Sequence, residues 1–329
     1  MGGPTLLPST VPPPKQKRSF PWTQAALPVP KPARTFSRRR GQGDPFGDIV
    51  AGVQNMIQNI SQGPKYDLVL SSGFLAFAAH SGFLKAVEES KVPVASIVGT
   101  SSGAISGSLY AAGYSAEQVA TELGRVAPIQ LLRPNMQPWK GGVLTLDPVV
   151  ERLRQLLPAT FEELPVPLAV GVVDQSGKHI LIRSGPLPEA VAASAAIPMI
   201  FSAVDIPGAA TGPHVDGGKV DRTALKAWRD ARREGLPWGK QPPRALVHLV
   251  ERSSQMSGTD DVAATGEKKI TVCRSPKSGA NFFALSNFEE QVSAAYARAQ
   301  PTIAAAKAQR ETAPVASLMP LFAWMNAPQ

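Results

Sequence analysis

Five consecutive residues, Gly99-Thr100-Ser101-Ser102-Gly103, fit the pattern G-x-S-x-G and offer Ser101 as a nucleophile. Ser96–Val98 before them reads as a strand, and Ser102–Ala112 after them as a helix of small residues. A strand–turn–helix setting holds a serine at a sharp turn with its oxygen exposed. Flanking Gly99 and Gly103 relieve such a turn. The first turn of the helix offers unpaired N–H groups and a positive dipole end to an oxyanion. The same residues also read as a plain turn capping a core helix.

A serine nucleophile needs a base. His80 falls in a helix, and His179 and His248 fall in strands, where structural roles suit them. His214 shares one strand end with Asp216, an awkward geometry for a triad. Asp216-Gly217-Gly218 is the better candidate, because a carboxylate at a strand end can meet Ser101 across the sheet edge. An ordinary aspartate titrates near about 3.9, so burial must raise it to make a useful base. Taken alone, Asp-Gly is also the commonest of turns.

The elements that must position these groups follow from periodicity. Strands are predicted at Asp67–Leu70, Ser96–Val98, Leu168–Val173, His179–Ile182, Ala245–Val250 and Ile270–Cys273. Helices are predicted at Leu75–Glu89, Ser102–Ala112, from Ser115 as cap to Leu123, and at Asp147–Leu157 with Asp147 as cap. Further helices are predicted at Leu187–Ala196, Thr223–Glu234 and Asn287–Ala308, the last broken near Pro301. Strands alternating with helices predict an α/β fold with a mostly parallel central sheet covered on both faces. Two segments, Gln130–Lys140 and Gln255–Lys269, read as flexible lid candidates.

Together these pieces resemble the patatin-like phospholipase family. The resemblance rests on Ser71-Ser72-Gly73-Phe74 after the first strand and on the helix Ala78-Ala79-His80-Ser81-Gly82-Phe83-Leu84-Lys85-Ala86. It continues through Gly99–Gly103, then Ala193-Ser194-Ala195-Ala196-Ile197-Pro198, then Asp216-Gly217-Gly218. It implies a three-layer α/β/α patatin-like fold and a Ser101–Asp216 dyad that works through an acyl-enzyme. It implies no metal and no nucleotide cofactor. The family's oxyanion loop has three glycines, one residue, a basic residue and a glycine. Here the aligned residues are Ser72, Gly73, Phe74, Leu75, Ala76 and Phe77, so one glycine remains and the cation has become Ala76. Backbone N–H groups of Gly73, Phe74 and Leu75 are then the expected oxyanion donors.

The implied activity is that of a serine esterase, a lipid acyl hydrolase cleaving carboxylic esters of membrane glycerolipids: phospholipid, lysophospholipid or galactolipid. A lipid-binding scaffold that keeps the fold, and an acyltransferase using the same acyl-enzyme, are the alternatives.

The chain has 329 residues, 34 basic and 25 acidic, for a net charge of +9. Residues 1–43 hold eight of the cations and no acid, which leaves 26 basic and 25 acidic residues from Asp44 onward. A near-neutral folded part argues against nucleic-acid binding. It also means that peripheral membrane contact must rely on apolar surface more than on charge. The basic, hydroxyl-bearing, acid-free leader is expected to be a disordered transit peptide, plastid (chloroplast) before mitochondrion. A plastid address would make galactolipids or plastid phosphatidylglycerol the natural substrates. Residues 44–65 form a linker with an amphipathic helix at Asp48–Ile60, residues 66–311 the catalytic domain, and residues 312–329 an apolar tail. The lone Cys273 excludes a disulfide framework.

Overall fold

The structure is a computed structural model that describes residues 65–311, apart from Pro138, Lys140, Trp238, Gly239, Met256, Glu267 and Lys268. The leader, the helix expected at Asp48–Ile60 and the apolar tail lie outside the described residues.

The sheet is built from β1 (Tyr66–Leu70), β2 (Val94–Thr100), β5 (Leu168–Val173), β6 (His179–Ile182), β7 (Val215–Asp216), β8 (Arg244–Val250) and β9 (Ile270–Ser275). Its order is β6-β5-β2-β1-β8-β9. All neighbours from β5 to β9 run parallel, and only β6 and β7 pair antiparallel with β5. A separate two-stranded hairpin joins β3 (Arg133–Pro134) to β4 (Leu144–Thr145).

Side chains alternate across the strands, as period two demands. Leu68, Leu70, Ile97, Leu168 and Val170 enter the larger core. Helices α1 (Phe77–Glu89), α2 (Ser102–Ala111), α3 (Ala116–Gly124), α4 (Asp147–Leu156), α5 (Leu187–Ser194) and α7 (Phe288–Glu311) contribute to that core. Val69, Val98, Ala169 and Val247 face the other way, onto Leu225 and Trp228 of α6 (Leu225–Glu234). Helices therefore cover both faces, but unevenly.

The fold also carries a charge through its middle. Asp67 of β1 is fully buried and accepts from Ser96 Oγ at 2.6 Å and Arg229 Nη1 at 2.9 Å. Burial raises its pKa in spite of Arg232 and Arg229 beside it.

Three expectations need correction. The last helix runs unbroken through Pro301. Pro301 is exposed, while Ala295, Ala299, Ile303 and Ala306 are buried, so packing on that face holds the helix together across the missing N–H. Asp147 is the first helical residue and not the cap: Thr145 Oγ1 accepts its N–H at 3.2 Å. The segment Gln255–Lys269 is tied to the fold rather than free. Gly258 N–H donates to the Gly218 carbonyl at 2.8 Å, and Asp260 binds Arg222 and Arg252.

Candidate active site

Ser101 stands between β2 and α2 at φ 56°, ψ −122°, a backbone state that residues with a Cβ avoid. The turn is tight enough that a Cβ on Gly103 would lie 2.2 Å from the Leu70 carbonyl oxygen. Ser101 N–H donates to Ser194 Oγ at 2.8 Å, and Ser194 Oγ donates to the Gly171 carbonyl at 2.7 Å. Ser194 therefore fastens the elbow to β5. Replacing it with alanine strands a buried N–H and loosens the turn. Ser194→Ala is expected to lose about 1–3 kcal/mol of stability in denaturant unfolding and to lower turnover.

Asp216 arrives by a different route. One edge of β5 is taken by β6 at Val170–Val173. The other edge is taken by β2 only as far as Thr100, which pairs with Gly171. Beyond that point β7 continues along the same edge, Asp216 opposite Val172. The chain thus leaves β2 as Ser101 just where β7 delivers Asp216. Asp216 N–H donates to the Ala196 carbonyl at 2.9 Å. The stretch Ser194–Ala196 holds both groups, one by a side chain and one by the backbone.

The Asp216 carboxylate is buried and accepts the Gly218 N–H at 2.7 Å, and the Ser101 hydroxyl lies near enough to lower its pKa. Burial pushes its pKa up to about 6, against the pull of those two groups. A carboxyl at that value is a far better base than an exposed one.

Gly73, Phe74 and Leu75 border the same cavity as Ser101. Their N–H groups have no partner among the described residues, and Leu75 takes a left-handed φ of 49°. The cavity also receives the first turn of α2 at Ser102. The loop is braced from below. Arg222, fully buried, accepts the Ser72 N–H on its carbonyl at 2.6 Å. Its guanidinium donates to the carbonyls of Ser72 at 2.9 Å and Val250 at 2.6 Å, and to Asp260 at 2.5 Å. The cation absent at Ala76 is thus matched by one beneath the loop, aimed at its backbone. Gly217 and Gly218 fit because no Cβ would: one on Gly218 would meet Ser72 Oγ at 2.6 Å.

The cavity, about 150 Å³, runs from Ser101 past Ile105 and Leu109 to Leu153 and Leu156, with Phe201 and Phe282 on another wall. Among the described residues its only charged lining groups are Glu122 and Arg152, paired at 2.6 Å.

The histidines stand apart. His214 is buried near Thr211, with Asp174 and Asp205 as its charged neighbours. His80 and His248 form a buried pair, Nδ1 to Nδ1 at 2.8 Å, with His248 Nε2 on Ser275 Oγ at 2.9 Å. Burial drives His80 down to about 3 and His248 well below its usual value, so the pair is neutral. The pair, Arg222 and the role of Ser194 escaped sequence reasoning. Ser194 alone had a signal, its place in the quoted Ser-Ala-Ala-Ile-Pro stretch. Among the described residues no group of three His, Cys, Asp or Glu side chains is placed to hold a metal.

The family model described as patatin-like phospholipase matches residues 68–227. Over 165 residues the chain is 31% identical to an uncharacterized NTE family protein of Mycobacterium bovis, covering 49% of this chain and 44% of that protein. An uncharacterized NTE family protein of Mycobacterium tuberculosis matches to the same extent. The match spans less than half the length of these relatives. Among solved structures, VipD from Legionella pneumophila aligns at a TM-score of 0.46 and 12% identity, over 74% of this chain and 67% of that one. The type III effector ExoU of Pseudomonas aeruginosa aligns at 0.44 and 17% identity, over 76% and 54%.

Proposed function

The chain belongs to the patatin-like phospholipase family through residues 68–227, and from that premise we propose that it is a serine acyl hydrolase acting on carboxylic esters of membrane glycerolipids. The observation that carries the reading is a buried Asp216 carboxylate, its pKa raised to about 6 by burial and pulled down by the Ser101 hydroxyl, beside a Ser101 that borders an apolar cavity. Ser101 Oγ attacks the ester carbonyl carbon while its proton passes to Asp216. The N–H groups of Gly73, Phe74 and Leu75 face the oxygen that becomes negative. As the intermediate collapses, Asp216 returns the proton to the departing alcohol and the acyl group stays on Ser101. Water then repeats the sequence with the roles of the two oxygens exchanged, releasing the acid. The acyl chain lies along Ile105 and Leu109, since only an apolar group gains by entering there.

A fluorophosphonate probe tests this on the full-length chain. Ser101 is expected to be labelled covalently and the Ser101→Ala protein not at all. Equal labelling of the two proteins would sink the proposal. Saturable lipid binding with no labelling of either would leave the fold as a lipid-binding scaffold.

A further inference from the structure

Around the mouth of the cavity, large apolar side chains stand in water. Met136 is 84% exposed, Trp139 77%, Phe283 77%, Met199 71% and Val143 69%. They come from three segments that the backbone ties together. Val143 N–H donates to the Ile200 carbonyl at 3.0 Å, and Ile129 N–H to the Phe282 carbonyl at 2.8 Å. Leu144 bridges to Phe201. Their neighbours Leu131, Leu132, Phe201 and Phe282 line the cavity beside Ser101. The exposed side chains are therefore the outer rim of the same pocket.

Single exposed apolar residues are ordinary, but five on adjoining segments around one opening mark an interaction surface. Met199 adds a second sign. Its φ of 69° is left-handed, and its side chain points into solvent, so no burial of that side chain offsets the strain.

Charge narrows the partner. Residues 126–146, 195–204 and 276–287 contain Arg133, Lys140 and Lys277 and not one Asp or Glu. Arg133 and Lys277 are exposed. Exposed Asp147 and Asp205 stand directly beyond the first two segments, so the acids lie at the edge of the rim and the cations within it. A second copy of this chain docking face to face would set these cations against each other. An anionic bilayer takes both the cations and the apolar side chains, with tryptophan at headgroup depth.

We propose that this rim seats the protein on an anionic lipid bilayer, with the β3–β4 turn and Phe283 entering the interface so that the cavity opens onto acyl chains. The inference rests on the hydrolase reading of the Ser101 cavity, and its test separates the two.

Full-length Ser101→Ala protein, which leaves lipid intact, is sedimented with vesicles of equal parts phosphatidylcholine and phosphatidylglycerol. Adding Met136→Ser, Trp139→Ser and Phe283→Ser together is expected to weaken binding about tenfold or more. Adding Arg133→Gln and Lys277→Gln instead is expected to weaken binding to these vesicles and not to pure phosphatidylcholine. Binding unchanged by both sets overturns the proposal. So does a parent protein that is a dimer and becomes a monomer on the triple serine change, since the rim would then be a self-interface. With Ser101 restored, the triple variant should keep fluorophosphonate labelling and hydrolysis of a soluble short-chain ester. If the parent shows neither reaction, the hydrolase reading falls, and the vesicle result still decides the docking surface.

Discussion

Asp216→Asn should lower ester turnover by about 10²–10⁴-fold, the usual worth of a positioned general base, while the chain stays folded. Asparagine keeps the shape and the oxygen that accepts the Gly218 N–H, but it cannot take the Ser101 proton. The parent's activity should rise with pH through about 6, where Asp216 gives up its proton and becomes a base. Stability should move the other way. The folded pKa lies above the unfolded value of about 3.9, so the neutral form's stability is full below about pH 4 and is lost as pH rises through about 6. At neutral pH the buried charge costs on the order of 3 kcal/mol. The asparagine variant should therefore melt higher than the parent at about pH 7, with the gap closing toward about pH 4. Rates and melting curves across that range check both halves. Turnover equal to the parent would remove Asp216 from the reaction.

Arg229→Met should cost about 3–5 kcal/mol, the usual loss when one partner of a buried ion pair is removed. Arg229 and Asp67 are both out of solvent, and the lone carboxylate would keep only Ser96 and the more distant Arg232, at 3.4 Å. The raised pKa of Asp67 says that desolvation already outweighs the arginines. Pairing Arg229→Met with Asp67→Leu should therefore recover part of the loss, because the charge goes with its partner. Denaturant unfolding of both singles and the double closes the cycle. A single change that costs under about 1 kcal/mol would mean the pair is better solvated than its burial indicates.

Legibility followed distance along the chain. Ser101 could be read because its signs are local: an apolar strand, two glycines and a small-residue helix within about a dozen residues. Asp216 was recognised by its glycines and by resemblance. Nothing near it in sequence says that β2 ends where β7 begins, since that depends on which edge of β5 is free. Arg222 carries no local sign of its role, since its partner Ser72 is 150 positions away. His80 and His248, each bland alone, meet across 168 positions. Pro301 illustrates the opposite error, a sound local rule overruled by packing. Trp139 and Phe283 carry ordinary core chemistry, and only the fold reveals that they face water.

Strip the molecule of every side chain and the site would still be visible. Six non-glycine residues among those described hold left-handed backbone: Leu75, Lys91, Ser101, Met199, Ala224 and Ser286. Leu75 and Ser101 line one cavity, and Met199 stands on its rim. Half of the conformational awkwardness in the bare chain trace is thus gathered at a single opening. The trace alone marks where this chain gave up comfort for position, before a single hydroxyl or carboxylate is drawn on it.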